Sequence, residues 1–291
     1  LDRLDSLLER ADGLLERLDR ALPQAPASPD WKAAVAFRWR RQGVRGYLQP
    51  VPHPHRLRLT DLRGIDDQKR VLDRNTRQFV AGVPANNALL WGSRGTGKSS
   101  LVKALLNAHA KHGLRLIEVD RHDLVDLADI VDLLYGRPER FLLFCDDLSF
   151  EADDPSYKTL KAVLDGSITA APDNVLVYAT SNRRHLLPEL QSDNQAARMV
   201  GGEIHQGEAV EEKISLSDRF GLWLSFYPFD QDEYLTIVFH WLKRMKIQPA
   251  DRDEVRTAAL QWALARGSRS GRVAWQFARD WAGRTALAGN G

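Results

Sequence analysis

Cross-linking is the first thing this sequence cannot do: a single cysteine, Cys145, stands among 291 residues. With no disulfide to staple it, the fold must rest on its core, and a reducing compartment suits it. Long apolar runs are missing as well. None approaches the ~20 residues that a membrane helix needs, so no membrane partner is expected. No signal-peptide pattern opens the chain, and a cytoplasmic location is the expectation. An excess of one charge is also absent, because 41 basic residues meet 39 acidic ones for a net charge of +2. Bulk charge therefore announces no nucleic-acid partner, and any basic surface is local. What remains is ordinary for a globular protein of one or two domains: 43% hydrophobic and 27% charged residues.

The N-terminal stretch 1–22 carries Leu1, Leu4, Leu8, Ala11, Leu15, Leu18 and Leu22 at alternating spacings of three and four. That is a heptad pattern and predicts an amphipathic helix, packed on its own body or a sister subunit, or docking another protein. Pro23, Pro26 and Pro29 end it. The segment 23–58 then reads as a linker with a basic, aromatic portion, WKAAVAFRWRRQGVRGY. Trp31, Val35 and Trp39 fall on one face of a predicted helix, beside Arg38, Arg40, Arg41 and Arg45. Such interleaving fits either a packed helix with a solvated edge or a grip on nucleic acid. His53 and His55 read as a loop rather than a metal site, since no further ligands stand at a useful spacing.

From position 59 the pattern alternates. Short apolar runs at 88–91, 114–119, 141–145, 175–179 and 222–226 predict buried parallel strands. Helical stretches at 99–110, 124–134 and 157–164 lie between them, and Asp66 opens an earlier one. The polar segment 183–214, with Gly201 and Gly202, breaks the rhythm and reads as a long mobile insertion. After it, 229–291 reads as three helices, with Asp230 and Asp251 as N-caps and Gly267 as a stop. The expected units are thus 1–22, 23–58, an α/β domain over 59–228 and a helical domain over 229–291.

Within the first strand–helix pair lies LLWGSRGTGKSS. Gly92, Ser93, Arg94, Gly95, Thr96, Gly97, Lys98 and Ser99 fit G-x-x-x-x-G-K-[ST], and Ser100 follows. Glycines let backbone N–H groups turn toward a phosphate chain, and the helix opening there aims its positive end at the same anion. Lys98 reaches the β- and γ-phosphates, and the Ser99 hydroxyl is a ligand for Mg²⁺. A second apolar strand ends in Asp146, which suits the Mg²⁺ shell, and Asp147, which suits orienting or deprotonating a water. A third ends in Thr180, Ser181 and Asn182, whose amide suits the γ-phosphate or that water. Arg219, in DRFG, and Arg272, in the first turn of a late helix, are candidates to stabilise phosphoryl-transfer charge. Cys145 reads as buried core.

This ordered set resembles an AAA+ ATPase over about residues 59–283. In NTRQFVAGVPANNALLWGSRGTGKSSLVKALL, DDLSFE and EKISLSDRFGLWLSFYPFDQDEYL it is similar to a bacterial family of predicted ATPases catalogued as domain of unknown function 815. The resemblance implies an α/β P-loop core with a five-stranded parallel sheet, followed by a small all-helical lid. It makes 92–99 Walker A, Asp146 and Asp147 Walker B, Asn182 sensor 1, Arg219 the arginine finger and Arg272 sensor 2. Gly64 and Ile65 match the segment that meets adenine. ATP and Mg²⁺ are the implied cofactors, held where a neighbour's Arg219 reaches the nucleotide. That implies a homo-oligomer, a ring or spiral such as a hexamer, with a protein or nucleic-acid client. One departure is Asp147, where most of the family carries Glu. Asp-Asp also occurs in replication initiators and their helicase-loading relatives, which hydrolyse slowly, so an ATP-gated nucleic-acid or helicase-binding switch is the first alternative. A P-loop small-molecule kinase is the second.

Overall fold

The computed structural model describes residues 10, 13, 28–43, 45–150, 154–165, 172–183, 186, 198–200, 203–205, 216–249 and 251–288. The heptad helix expected over 1–22 falls, apart from Arg10 and Gly13, outside them, as does most of the expected insertion 183–214.

In chain order the regular elements are β1 (Ala36–Gln42), β2 (Arg45–Pro50), α1 (Asp66–Val80), β3 (Ala88–Gly92), α2 (Lys98–His109), β4 (Leu114–Glu118), α3 (Leu127–Leu134), β5 (Arg140–Cys145), α4 (Pro155–Asp165), β6 (Val175–Ser181), the short β7 (Arg198–Val200) and β8 (Glu203–His205), β9 (Leu222–Phe226), α5 (Gln231–Arg244), α6 (Arg252–Ala265) and α7 (Gly271–Ala288). One sheet has the order β2-β1-β4-β5-β6-β3-β9, and β7 pairs with β8 alone. The five strands expected from the sequence lie together as β4-β5-β6-β3-β9, all parallel. β3, β5 and β6 are buried on both faces, which is why they read as continuous apolar runs rather than alternating ones.

The sheet is wider than expected because the segment taken for a helix is a β-hairpin. β1 pairs antiparallel with β2, Gly43 following β1 at φ 63°, and parallel with β4. The spacing of Trp31, Val35 and Trp39 suggested a helix. The alternation that prevails sends Phe37 and Trp39 to one face, where both are fully covered, and leaves Arg38 and Arg40 on the other. Gly46 makes room for Trp39: a Cβ there would meet the indole at 1.8 Å. The basic patch is largely neutralised from within. Arg38 pairs with Glu118 at 2.7 Å, Arg40 with Asp120 at 3.1 Å, and Arg41 with Asp126, which also accepts from Trp39 Nε1 at 2.9 Å.

Two apolar clusters sandwich the sheet. One joins Leu90, Phe144 and Leu224 to α1, α2 and the C-terminal helices through Leu72, Leu105, Tyr234, Val255 and Phe277. The other joins Phe37, Leu89 and Leu143 to α3 and α4 through Ile130 and Leu160. The C-terminal helices are capped where the sequence indicated. Asp230 and Glu233 form a reciprocal capping box, Asp251 accepts from Asp253 N at 2.7 Å, and Gly267 takes φ 61° after α6.

Burial sets an alkaline limit on stability. It pushes the Cys145 thiol from 9.0 up to about 12, and the Tyr178 and Tyr234 phenols from 10.0 up to about 12. Each group holds its proton more tightly folded than unfolded, so its contribution is complete below the unfolded pKa and is lost as pH rises toward the folded one. Urea unfolding is expected to give constant stability from these groups up to about pH 9 and a decline above it. Tyr178→Phe removes part of that slope.

Candidate functional site

β3 ends in Gly92 at φ 126°, and a Cβ there would strike Phe226 O of the neighbouring β9 at 2.0 Å. Only glycine fits. Gly95 and Gly97 take φ 76° and 104°, and the left-handed Gly97 leads directly into α2. At positions 94–100 no backbone N–H donates to a main-chain carbonyl of the described residues, so a row of donors stands at the positive end of α2. Ser93 is fixed instead: its N–H donates to Phe226 O at 2.9 Å, and its carbonyl accepts from buried Thr96 Oγ1 at 2.8 Å.

Lys98 is buried at the base of this loop. Its Nζ donates to Gly92 O at 2.7 Å, Ser93 O at 2.8 Å and Asn182 Oδ1 at 3.3 Å. Burial above all pulls its ammonium below the ordinary lysine range; Asp147 and Asp146 oppose this, while Arg94 and Arg272 add to it. Ser99 Oγ donates to Asp146 Oδ1 at 2.6 Å. The same oxygen accepts from Thr180 Oγ1 at 2.6 Å, and Thr180 Oγ1 in turn accepts from Asp147 N at 2.8 Å. Asp147 sits at φ 53°, an uncommon conformation for a non-glycine residue, and its carboxylate accepts from the Asn182 amide. The structure thus joins Lys98, Ser99, Asp146, Asp147 and Asn182 in one hydrogen-bonded network.

Thr180 is the member that sequence reasoning left without a role. Its signal was a hydroxyl near the end of a largely apolar strand, two residues before Asn182 and so on the same side of the chain.

The N-terminal end of α7 closes over the loop. Arg272 N donates to Gly95 O at 3.4 Å, and a Cβ on Gly95 would meet Ser270 Oγ at 2.9 Å. On the other side a Cβ on Gly97 would meet Ile65 Cδ1 at 3.4 Å, and Gly64, at φ 74°, abuts Phe229. Ile65 and Arg272 therefore flank the loop, with Gly64 next to Ile65 in the chain. Ser100 follows in the first turn of α2.

Arg219 lies elsewhere. It precedes β9, whose start is on the opposite edge of the sheet from the Gly92 end of β3, and it pairs with Asp165 at the end of α4. Within one chain, β9 stands between it and the loop. Cys145 is enclosed in the core.

These groups fit a nucleotide and a hard cation. Free N–H donors with Lys98, Arg94 and Arg272 suit a polyphosphate. The Ser99 hydroxyl and the Asp146 carboxylate are oxygen donors that Mg²⁺ accepts together with phosphate and water oxygens. Among the described residues no three His, Cys, Asp or Glu side chains are grouped to hold a metal ion.

The family described as "Protein of unknown function (DUF815)" matches residues 32–285. The chain belongs to that family. Among solved structures, it resembles the Thermotoga maritima RuvB A156S mutant, with a TM-score of 0.53 at 15% identity over 76% of this chain and 63% of that one. It likewise resembles the RuvB Holliday junction branch migration motor of the same organism, at 0.50 and 17% over 76% and 63%. The Aeropyrum pernix ORC1 protein in complex with DNA gives 0.51 and 18% over 74% and 58%. The chain spans less than two thirds of these neighbours' length. At such identities the likeness is one of fold, and that fold is AAA+. No curated protein matches.

Thr180→Val removes one donor from Asp146 and the acceptor of Asp147 N. A loss of about 1–3 kcal/mol is expected by urea unfolding, with Thr180→Ser near wild type.

Proposed function

We propose that this chain is an oligomerising ATPase that binds ATP with Mg²⁺ in the glycine loop and uses turnover to remodel or switch a bound macromolecule. The observation that carries the reading is the network of Lys98, Ser99, Asp146, Asp147 and Asn182 beneath a row of uncommitted backbone donors. Backbone N–H groups at 94–100 cradle the phosphates, and Lys98 exchanges its bonds to Gly92 O and Ser93 O for phosphate oxygens. Ser99 and Asp146 would hold Mg²⁺, which would supply positive charge against the phosphate oxygens. Asp147 takes a proton from the attacking water as the water oxygen bonds to the γ-phosphorus, the bond from that phosphorus to the β,γ-bridging oxygen breaks, and ADP leaves with the bridging oxygen while phosphate is released. Asn182 orients that water, and Arg272 couples the phosphates to α7. Arg219 serves a neighbouring copy, a role supported by its place on the far edge of its own sheet.

The relation of Asp147 to Asn182 favours slow turnover. Asp is one methylene shorter than the usual Glu, and the Asn182 amide already holds its carboxylate. An ATP-gated switch with little hydrolysis is therefore the second reading. Its nucleic-acid form gains little from the hairpin arginines, since Arg38, Arg40 and Arg41 are each committed to a carboxylate. A small-molecule kinase is the weaker alternative, because it needs neither Arg219 in trans nor a helical unit after the sheet. Among the described residues no helix is long and apolar enough to cross a membrane, and we place the protein in the cytoplasm.

Lys98→Ala is expected to weaken binding of a fluorescent ATP analogue on the order of 10²-fold or more. Arg219→Ala keeps binding but loses most turnover, since such arginines are worth roughly 10³–10⁵ in rate. Mixing the two inactive variants restores hydrolysis, because a Lys98→Ala copy lends its arginine to an intact site. Wild-type turnover by Arg219→Ala alone, or no recovery on mixing, overturns the shared site. Full turnover by Lys98→Ala overturns the loop itself.

A further inference from the structure

A cavity of about 480 Å³ lies apart from the glycine loop, between the segment leading into Gly64 and the helices α5 and α6. Arg63, Lys243 and Arg252 stand exposed around it, half-buried Phe239 and Ile247 supply apolar surface, and His240 stands in its wall. No acidic residue lines it, and neither does any residue of 92–99. Its volume falls in the range of small-molecule sites, roughly 300–1,000 Å³.

Several arginines elsewhere on the surface are paired. Arg38, Arg41, Arg70, Arg77 and Arg244 each meet a carboxylate. Arg63, Lys243 and Arg252 have no acidic partner within 4.0 Å among the described residues. Arg252 is instead laid over the Phe239 ring at 4.5 Å. Arg63 Nε donates to His240 Nδ1 at 3.4 Å, so the neutral ring carries its hydrogen on Nε2. That Nε2 is buried without a hydrogen-bond acceptor; the nearest carboxylate, Asp61, is 3.8 Å away and already engaged by Arg244. Every ionisable group at the cavity is therefore a donor. Burial, followed by Arg63, Lys243 and Lys69, holds His240 below the ordinary histidine range, as a positive local field requires.

We infer that this cavity binds a small organic anion, its charged head met by Arg63, Lys243 and Arg252 and its apolar body laid on Phe239 and Ile247. Acceptors brought by the ligand satisfy the convergent cations, and the apolar contact supplies the affinity that exposed ion pairs lack. The site stands on its own lining and does not depend on the ATPase reading. Arg63 directly precedes Gly64, whereas Lys243 and Arg252 ride on α5 and α6, so an occupant ties the two together.

The test uses anilinonaphthalene sulfonate, an apolar fluorophore bearing one sulfonate, titrated into the full chain with a non-hydrolysable ATP analogue present at saturation. Saturable binding of one probe per chain is expected. It weakens about ten-fold or more in the Lys243→Glu/Arg252→Glu double variant. The uncharged relative N-phenylnaphthylamine, which lacks the sulfonate, binds about ten-fold more weakly to the wild type. Lys98→Ala leaves probe affinity unchanged, so a failure of the nucleotide site leaves this result readable. Both substituted residues are exposed, and circular dichroism and urea unfolding check that the double variant folds. Equal affinity in wild type and double variant, equal binding of the uncharged relative, or no saturable binding with the analogue present each overturns the site.

Discussion

Three adjacent parallel strands that end on one edge of a sheet are the constraint from which this site follows. β6 lies between β5 and β3, so the tips carrying Asp146 and Gly92 stand about 10 Å apart, two strand spacings of ~4.8 Å. That gap is within reach of a lysine and a carboxylate on either side of the Asn182 amide. Thr180 and Asn182 project from the middle strand toward both neighbours, which lets one hydroxyl and one amide tie the acidic pair to the phosphate loop. Without the shared edge, the same residues would be scattered surface polars.

Much of this was legible because the determinants are local or periodic. Strands buried on both faces announce themselves as unbroken apolar runs, and all five from 88 to 226 lie in the sheet as anticipated. The glycine loop is readable because its backbone geometry demands residues without a Cβ at fixed spacing. What was lost depended on contacts across the chain. The value of Thr180 is visible only once β5 and β6 are paired. Trp31, Val35 and Trp39 fitted two periods at once, and the deciding facts were distant: a free edge on β4 and the carboxylates Glu118, Asp120 and Asp126, each more than seventy residues away. The hairpin is edge structure stabilised by long-range partners, which single-segment periodicity does not weigh.

Arginine content alone also misled about where positive charge is available. The cluster at 38–41 looks like a basic patch in the sequence, yet its guanidinium groups are committed to carboxylates and present little net field. Arg63, Lys243 and Arg252 are spread over nearly two hundred positions and make no impression on a reader of the sequence. Folding gathers them without acidic neighbours. Uncompensated charge, rather than charge density along the chain, marks a surface able to recruit a counter-charge.

The contact of Arg272 N with Gly95 O puts the first turn of α7 directly against the phosphate loop. α7 is 18 residues long, so it extends about 27 Å from that point of contact. A tilt of about 5° at the pivot carries the distal turn through about 2.4 Å, since a rigid rod of that length multiplies angle by span. Were main-chain rearrangement around Gly95 to tilt α7 by that much, the far end would move by a distance comparable to half a helical turn.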